Sequence, residues 1–409
     1  MNQTISPRAS VFNIAVIVAA LGYFVDIYDL LLFSIIRIPS LQSFGLSDEQ
    51  IKNDGLFIIN IQMLGLLVGG ILWGVLADKK GRLSVLFASI ILYSLGNIAN
   101  GFVQTVNQYA LVRFISGIGL AGELGAGITL VSELLPKDRR GVGTSLVAGI
   151  GLSGAVLAYF MKQHFEWRTC YFIGGTLGFI LLFLRIKVAE SGMFHQVKQS
   201  QVSKGNFLMF FTNANRFRRY MLSILIGFPT WYVIGILVSF SKEFGKQMNV
   251  SGEIDPGKSV MYAYAAISLG DIIIGLVSQL LKSRKKALFL FYGITIIGMA
   301  WFFNLEGATA QDLYWACALL GFGTGFWAIF VTMAAEQFGT NLRATAATTV
   351  PNMVRGSLNL ITLLFTGLQA SYGFIHSGII TAVVIMVIST IAAIFTQETF
   401  GKDLNFVEV

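Results

Sequence analysis

Long apolar runs separated by short polar stretches set the pattern of this chain. A helix crossing about 30 Å of hydrocarbon needs roughly 20 apolar residues. Twelve runs meet that length, near 11–36, 55–77, 83–102, 108–135, 141–162, 168–188, 219–241, 259–281, 286–304, 312–337, 344–369 and 373–396. Each predicts one membrane-spanning helix. The longest hydrophilic interruption, about 189–218, falls between the sixth and seventh runs. Residues 1–188 and 219–409 are therefore read as two six-helix bundles joined by a linker over 189–218. The short polar N-terminal stretch leads into the first run without a small-residue cleavage site, which reads as a first span rather than a removed signal peptide.

The two halves repeat one another. Gly74-Val-Leu-Ala-Asp78-Lys-Lys-Gly81-Arg82 closes the second run, and Gly275-Leu-Val-Ser-Gln279-Leu-Leu-Lys-Ser-Arg284 closes the eighth. Gly117-Ile-Gly119 in the fourth matches Gly321-Phe-Gly323 in the tenth, and Glu133 precedes Arg140 as Glu336 precedes Arg343. Matches in the same order at corresponding runs indicate a parallel duplication. Such a repeat places a substrate site between the halves near the membrane midplane.

Composition agrees. Of 409 residues, 55% are hydrophobic and 12% charged, too few charges to cover a water-soluble surface. Two cysteines, Cys170 and Cys317, make no disulfide framework. The formal net charge of +8 reflects orientation rather than nucleic-acid binding. With the N-terminus inside, twenty Lys and Arg fall on cytoplasmic segments, seven outside, and two, Arg113 and Arg355, within the membrane. Arg185 counts among the cytoplasmic ones. Both termini are expected in the cytoplasm of a multi-pass inner-membrane protein.

The segment Gly74 to Arg82 resembles the loop-2/3 signature of the major facilitator superfamily, G-x-L-A-D-[RK]-x-G-[RK]. Arg113-Phe-Ile-Ser-Gly117-Ile-Gly119 is similar to that family's fourth-helix element, Glu133 to Gly141 to its fourth-to-fifth loop, and Trp167-Arg168 and Glu190-Ser191 to the edges of its sixth helix. The resemblance covers the whole chain. It implies an all-α fold of twelve helices in two pseudo-symmetric bundles and a rocking, alternating-access transporter. It also implies that Asp78, with Gly74, Gly81 and Arg82, clamps the outward-facing state at a helix end of the other half, with Glu133, Arg140, Glu336 and Arg343 in the same gate. A carboxylate at a helix N-terminus suits that role. The plain alternative, a turn with orienting charges, explains the Lys and Arg but not the Gly-Asp-Gly spacing.

Charges inside hydrocarbon cost about 2.5–3.5 kcal/mol each and are functional by default. Asp26 and Asp29 share one face of the first helix, with Tyr23 and Tyr28 close by. Depth allows one of them to pair with Arg113. Two acids this close oppose each other's ionisation, which suits proton carriage; the alternative is a structural ion pair between helices one and four. Helix-one acids and the helix-four Arg are often linked to proton coupling in the family. Glu123 lies among Gly122, Gly125 and Gly127 and is expected to be desolvated, either as a proton carrier or as a packing acid. The Gly-Glu pair resembles facilitator branches that carry phosphate, osmolytes and organic acids, and the Asp-x-x-Asp of helix one resembles that of phosphate and aromatic-acid symporters.

Asn352, Arg355 and Asn359 recur at i, i+3 and i+7, a polar stripe expected to face a cavity. Arg355 suits a forked contact with a carboxylate or phosphate, or else pairs with Asp271. Pro351 is expected to bend that helix. Asp271, mid-span in helix eight, reads as a second coupling acid or as the partner of Arg355. Trp231, Tyr232 and Trp327 are candidate cavity walls. Gly117-Ile-Gly119-Leu-Ala-Gly122 spells a dinucleotide fingerprint but lies inside an apolar helix without the βαβ unit that motif requires. No phosphate-binding loop of an ATP motor occurs, and His164, His195 and His376 are scattered.

The expected function is secondary transport of a small anionic or zwitterionic solute: an organic carboxylate, amino acid or phosphate-like anion. Proton-coupled symport is favoured over proton-coupled export, because Gly149-Ile-Gly151-Leu-Ser-Gly154 lacks the proline that family exporters usually carry in helix five. A membrane enzyme or channel is the more distant reading, since no nucleophile or metal cluster appears. The expected partners are the solute, a proton and the bilayer, with no cofactor, no metal and no nucleic acid, in a chain working as a monomer.

Overall fold

The structure, a computed structural model, describes residues 14–136, 139–187, 205–403 and 405–408. Arg8, Lys137, Lys198, Lys204, Glu190, Ser191, His195 and the side chain of Arg140 lie outside the described residues. Backbone groups in hydrocarbon find no water, so the chain satisfies them within helices. The apolar runs form α1 (Val16–Gln42), α2 (Asp48–Lys80), α3 (Arg82–Asn100), α4 (Val106–Leu134), α5 (Gly141–His164) and α6 (Trp167–Leu184) in the first half. The second half holds α7 (Ala214–Val238), α8 (Pro256–Leu280), α9 (Arg284–Phe303), α10 (Ala310–Glu336) and the 53-residue stretch Arg343–Phe395. At 1.5 Å per residue that last stretch would span about 80 Å, far more than one crossing needs. Gly373, at φ 73°, interrupts it. It therefore supplies α11 (343–372) and α12 (374–395), and the expected twelve passes are present.

Local chemistry moves some expected ends. A capping box in which Ser47 and Gln50 exchange hydrogen bonds starts α2 at Asp48 rather than near 55. Asn213 accepts from the N–H groups of Asn215 and Arg216, so α7 begins at Ala214. Arg216, Arg218 and Arg219 thus ride on its first turns instead of in a loop.

Two bundles of six helices meet along α2 against α11 and α5 against α8. Within each bundle the glycine pairs of the repeat do equivalent work. A Cβ on Gly117 would strike the Gln62 carbonyl of α2, and one on Gly321 would strike the Ala263 carbonyl of α8. Close backbone approach, not nucleotide binding, explains that motif. Several spans are broken partway: α4 at Ala121–Gly122, α5 at Ser153 and α10 at Gly325–Phe326, while α7 has a π turn over Val233–Val238. Pro351, expected to bend its helix, lies inside the helical segment Arg343–Gly356. Broken helices in a repeat of this kind line a ligand path.

Candidate functional site

A narrow cavity, with room for about one water, lies between the bundles. Tyr23, Ile27 and Leu30 of α1 and Leu152 of α5 face Thr230 and Trp231 of α7, Tyr264 and Ile267 of α8, Trp327 of α10 and Arg355 of α11. Among the described residues, Arg355 is the cavity's single charged wall residue. One of its terminal nitrogens donates to Asn352 Oδ1 at 3.0 Å, its Nε has no partner among the described residues, and its guanidinium stands 5.7 Å from the Trp327 ring centroid. Arg355 forms no salt bridge among the described residues, Asp26 being an acid that acts on it at longer range, so its forked face is left for an anion delivered by the ligand. Asn352 also donates to the Ala121 carbonyl at 2.8 Å, tying α11 to the break in α4 of the other half.

The buried acids of the first half differ sharply. Asp29 receives Arg113 Nη1 at 2.7 Å, and its own carbonyl accepts Nη2 at 2.9 Å. Gln62 completes the cluster by accepting from Arg113 Nε at 3.2 Å. Glu123 opens the second segment of α4 and pairs with Arg185, which also donates to the Leu86 carbonyl at 2.8 Å. That pair lies against Gly22, one turn before Asp26 on α1. Asp26 itself is fully buried, and neither carboxylate oxygen has a hydrogen-bond partner among the described residues. The charges acting on it are Arg355, Glu123, Asp29 and Arg185. Asp26 thus connects the acids of the first half with the cation of the cavity.

Both ends of the cavity are closed. At the end carrying Gly81, Asp78 accepts from the backbone of Ala344 at 3.3 Å, of Thr345 at 2.8 Å, and from the Thr345 hydroxyl at 2.6 Å. The motif spacing now has a cause. A Cβ on Gly74 would lie 3.2 Å from Thr345 Cα, so Gly74 lets α2 cross the start of α11. Asp78, one turn later, caps that helix. Gly81, at φ 105°, makes the turn into α3 that other residues resist. Arg82 binds Glu133 at 2.9 Å, and Arg343 of the other half reaches the same carboxylate at 3.4 Å. Glu336 pairs with Arg284 at 3.1 Å. At the opposite end, Arg37 meets Glu243 at 3.0 Å and Lys162 meets Asp255 at 2.7 Å, each joining one half to the other.

The structure therefore brings Tyr23, Trp231, Trp327 and Arg355 to the cavity, with Asn352 behind Arg355. It takes others away. Tyr28 donates to the Cys170 carbonyl at 2.8 Å inside the first bundle, and Tyr232 donates to the Gly378 carbonyl at 2.6 Å on α12. Each points away because helix rotation sends adjacent residues about 100° apart. Asn359 donates to the Gly356 carbonyl at 3.1 Å and is not a cavity wall, so the expected stripe ends at Arg355. Asp271 does not pair with Arg355; its Oδ1 accepts from the Ala328 N–H at 2.9 Å. Arg185, counted as an orienting charge, is buried within the first bundle, as are Arg37, Arg82 and Arg113.

Tyr264, Thr230, Arg185 and Arg284 were not singled out from sequence. Signals for three of them existed. Tyr264 is seven residues from Asp271 and so shares its helix face. Arg185 stands between Leu184 and Ile186 at the end of an apolar run, and Arg284 closes the repeat of the Gly74–Arg82 segment. Thr230 carries no comparable mark.

Comparisons with known proteins bear on the family and the fold. The profile described as Major Facilitator Superfamily matches residues 14–362. The niacin transporter NiaP of Acinetobacter baylyi is 26% identical over 95% of this chain and 94% of its own. The cis,cis-muconate transport protein of the same organism is 24% identical over 97% of each chain. Among solved structures, the proton:xylose symporter XylE superposes with a TM-score of 0.74 at 16% identity, covering 96% of this chain and 97% of that one.

Proposed function

The chain belongs to the major facilitator superfamily of membrane solute transporters, and we propose that it carries a small planar carboxylate into the cell together with a proton. One observation carries this reading: Arg355, buried, without an acidic partner among the described residues, in an aromatic-walled cavity between the two halves. A carboxylate would take the forked face of the guanidinium. Trp231, Trp327 and Tyr264 would cover a flat ring or conjugated chain. Relatives named for niacin and cis,cis-muconate support that class.

Asp26 supports proton coupling. With no hydrogen bond and no ion pair among the described residues, this acid in hydrocarbon is far cheaper to keep neutral than as a bare charge. With Asp26 protonated and a carboxylate on Arg355, the loaded carrier moves a proton and an anion as a neutral pair. The closed faces would then open in turn: the Asp78 clamp and the Glu133–Arg343 pair on the face expected to be cytoplasmic, the Arg37–Glu243 and Lys162–Asp255 pairs on the other. The halves would rock around the cavity as bodies bounded near 188 and 219.

Purified protein in liposomes with an imposed proton gradient tests the reading. Labelled niacin or cis,cis-muconate should accumulate against its gradient when the proton gradient is present and only equilibrate when it is collapsed. Equal accumulation with and without the gradient would refute the coupling.

A further inference from the structure

Helices α8 and α10 touch where α10 is broken. The first segment of α10 ends at Thr324 and the second begins at Trp327. A Cβ on Gly325 would lie 2.7 Å from Gly270 Cα and 2.9 Å from Asp271 N, so the two backbones are in contact. A new helical segment starts with N–H groups that have no carbonyl one turn back. Asp271 Oδ1 meets this need, accepting from Ala328 N at 2.9 Å. The residue before Ala328 is Trp327, whose ring is a cavity wall and stands 5.7 Å from the Arg355 guanidinium. Asp271 is fully buried and forms no salt bridge among the described residues.

The first half solves the same problem differently. The repeat aligns the break of α10 with that of α4 and Trp327 with Glu123. At α4 the tie comes from the other half, through Asn352 and the Ala121 carbonyl. The acid that follows the break, Glu123, is held by Arg185. In the second half a ring occupies that position, and the acid has moved to the neighbouring helix as a cap.

We propose that Asp271 is a positioning residue: it caps the second segment of α10, and so sets Trp327 over Arg355 and across the cavity, without carrying the coupled proton. This rests on the carboxylate-symport reading. What the cap needs is one acceptor oxygen, which an asparagine amide also supplies. Proton carriage needs an exchangeable proton, which asparagine does not supply. The two roles therefore part at a single substitution.

The experiment compares wild type, Asp271→Asn and Asp271→Ala in liposomes, with labelled niacin and cis,cis-muconate as probes. Asp271→Asn should keep the steady-state accumulation ratio of the wild type, with KM within about twofold. Asp271→Ala should raise KM about tenfold, the loss of one buried hydrogen bond, while its accumulation ratio and pH profile stay those of the wild type. Loss of accumulation in Asp271→Asn with exchange intact overturns the proposal, as does an unchanged KM in Asp271→Ala. Should wild type concentrate neither probe, the symport reading fails, and thermal unfolding judges the cap. Asp271→Asn melting with the wild type and Asp271→Ala below it supports the cap; both level or both lower overturns it.

Discussion

Arg113 donates to Asp29 across 2.7 Å between two fully buried side chains, while Asp26, on the same helix and three residues earlier, has no hydrogen-bond partner among the described residues. Breaking a buried pair leaves an uncompensated charge and costs about 3–5 kcal/mol. Asp29→Asn should therefore lower the melting temperature in detergent markedly. Asp26→Asn removes an unpaired acid and should leave it level or higher. In liposomes Asp26→Asn should abolish uphill accumulation and spare counterflow exchange. A reversed order of melting temperatures, or normal accumulation in Asp26→Asn, contradicts the division of roles.

Arg355→Ala should raise KM about 10- to 100-fold, the equivalent of a charge-assisted hydrogen bond worth about 1.5–3 kcal/mol. Arg355→Lys restores the charge but not the fork and should recover only part of that loss. Equal affinity in all three proteins would remove Arg355 from the binding site.

Asp78 holds the start of α11 through two backbone N–H groups and a hydroxyl. Its loss should cost about 1–2 kcal/mol, a five- to thirty-fold shift toward opening of that face. A cysteine placed by Leu152→Cys on the cavity wall reports this, because native Cys170 and Cys317 are buried. Alkylation from the Gly81 side should accelerate in Asp78→Ala and stay slow in the parent. No change in rate would argue against a clamp.

Beyond the end of α12, Glu398 caps the start of α9. Burial pushes its carboxyl upward, but hydrogen bonds from Ser283 and from the N–H groups of Phe400, Arg284 and Lys285 outweigh that and hold it below its ordinary value of 4.5. A group lowered on folding contributes stability above its unfolded value, and that contribution is lost as pH falls through the folded one. Wild type should therefore melt above Glu398→Gln at neutral pH, and the gap should close as pH falls through the lowered folded value of Glu398. A gap that persists at acid pH would mean that the charge is irrelevant.

Much of the fold was legible because hydrocarbon imposes a length on every apolar run. The Gly74–Arg82 spacing was legible too, since close crossing, capping and a left-handed turn each demand one residue type at one offset. Pairing was less accessible. Depth suggested that an acid of α1 meets Arg113, yet nothing in the chain order distinguishes Asp29 from Asp26. Arg185 looked like an orienting charge, because its partner Glu123 is 62 residues away.

The sequence by itself determined that this is a twofold-repeated membrane protein of twelve spans, because hydrophobic length and internal similarity are one-dimensional properties. Tertiary structure alone decided what each buried polar group does. The break in α10 frees a backbone N–H that Asp271 of α8 accepts in place of pairing with Arg355, and Asn359 of α11 donates to its own backbone instead of lining the cavity. Rotation of α1 and α7 sent Tyr28 and Tyr232 into their own bundles while Tyr23 and Trp231 faced the cavity. Partner choice in a low-dielectric interior depends on a few ångströms of approach between distant segments, and no local pattern encodes that distance.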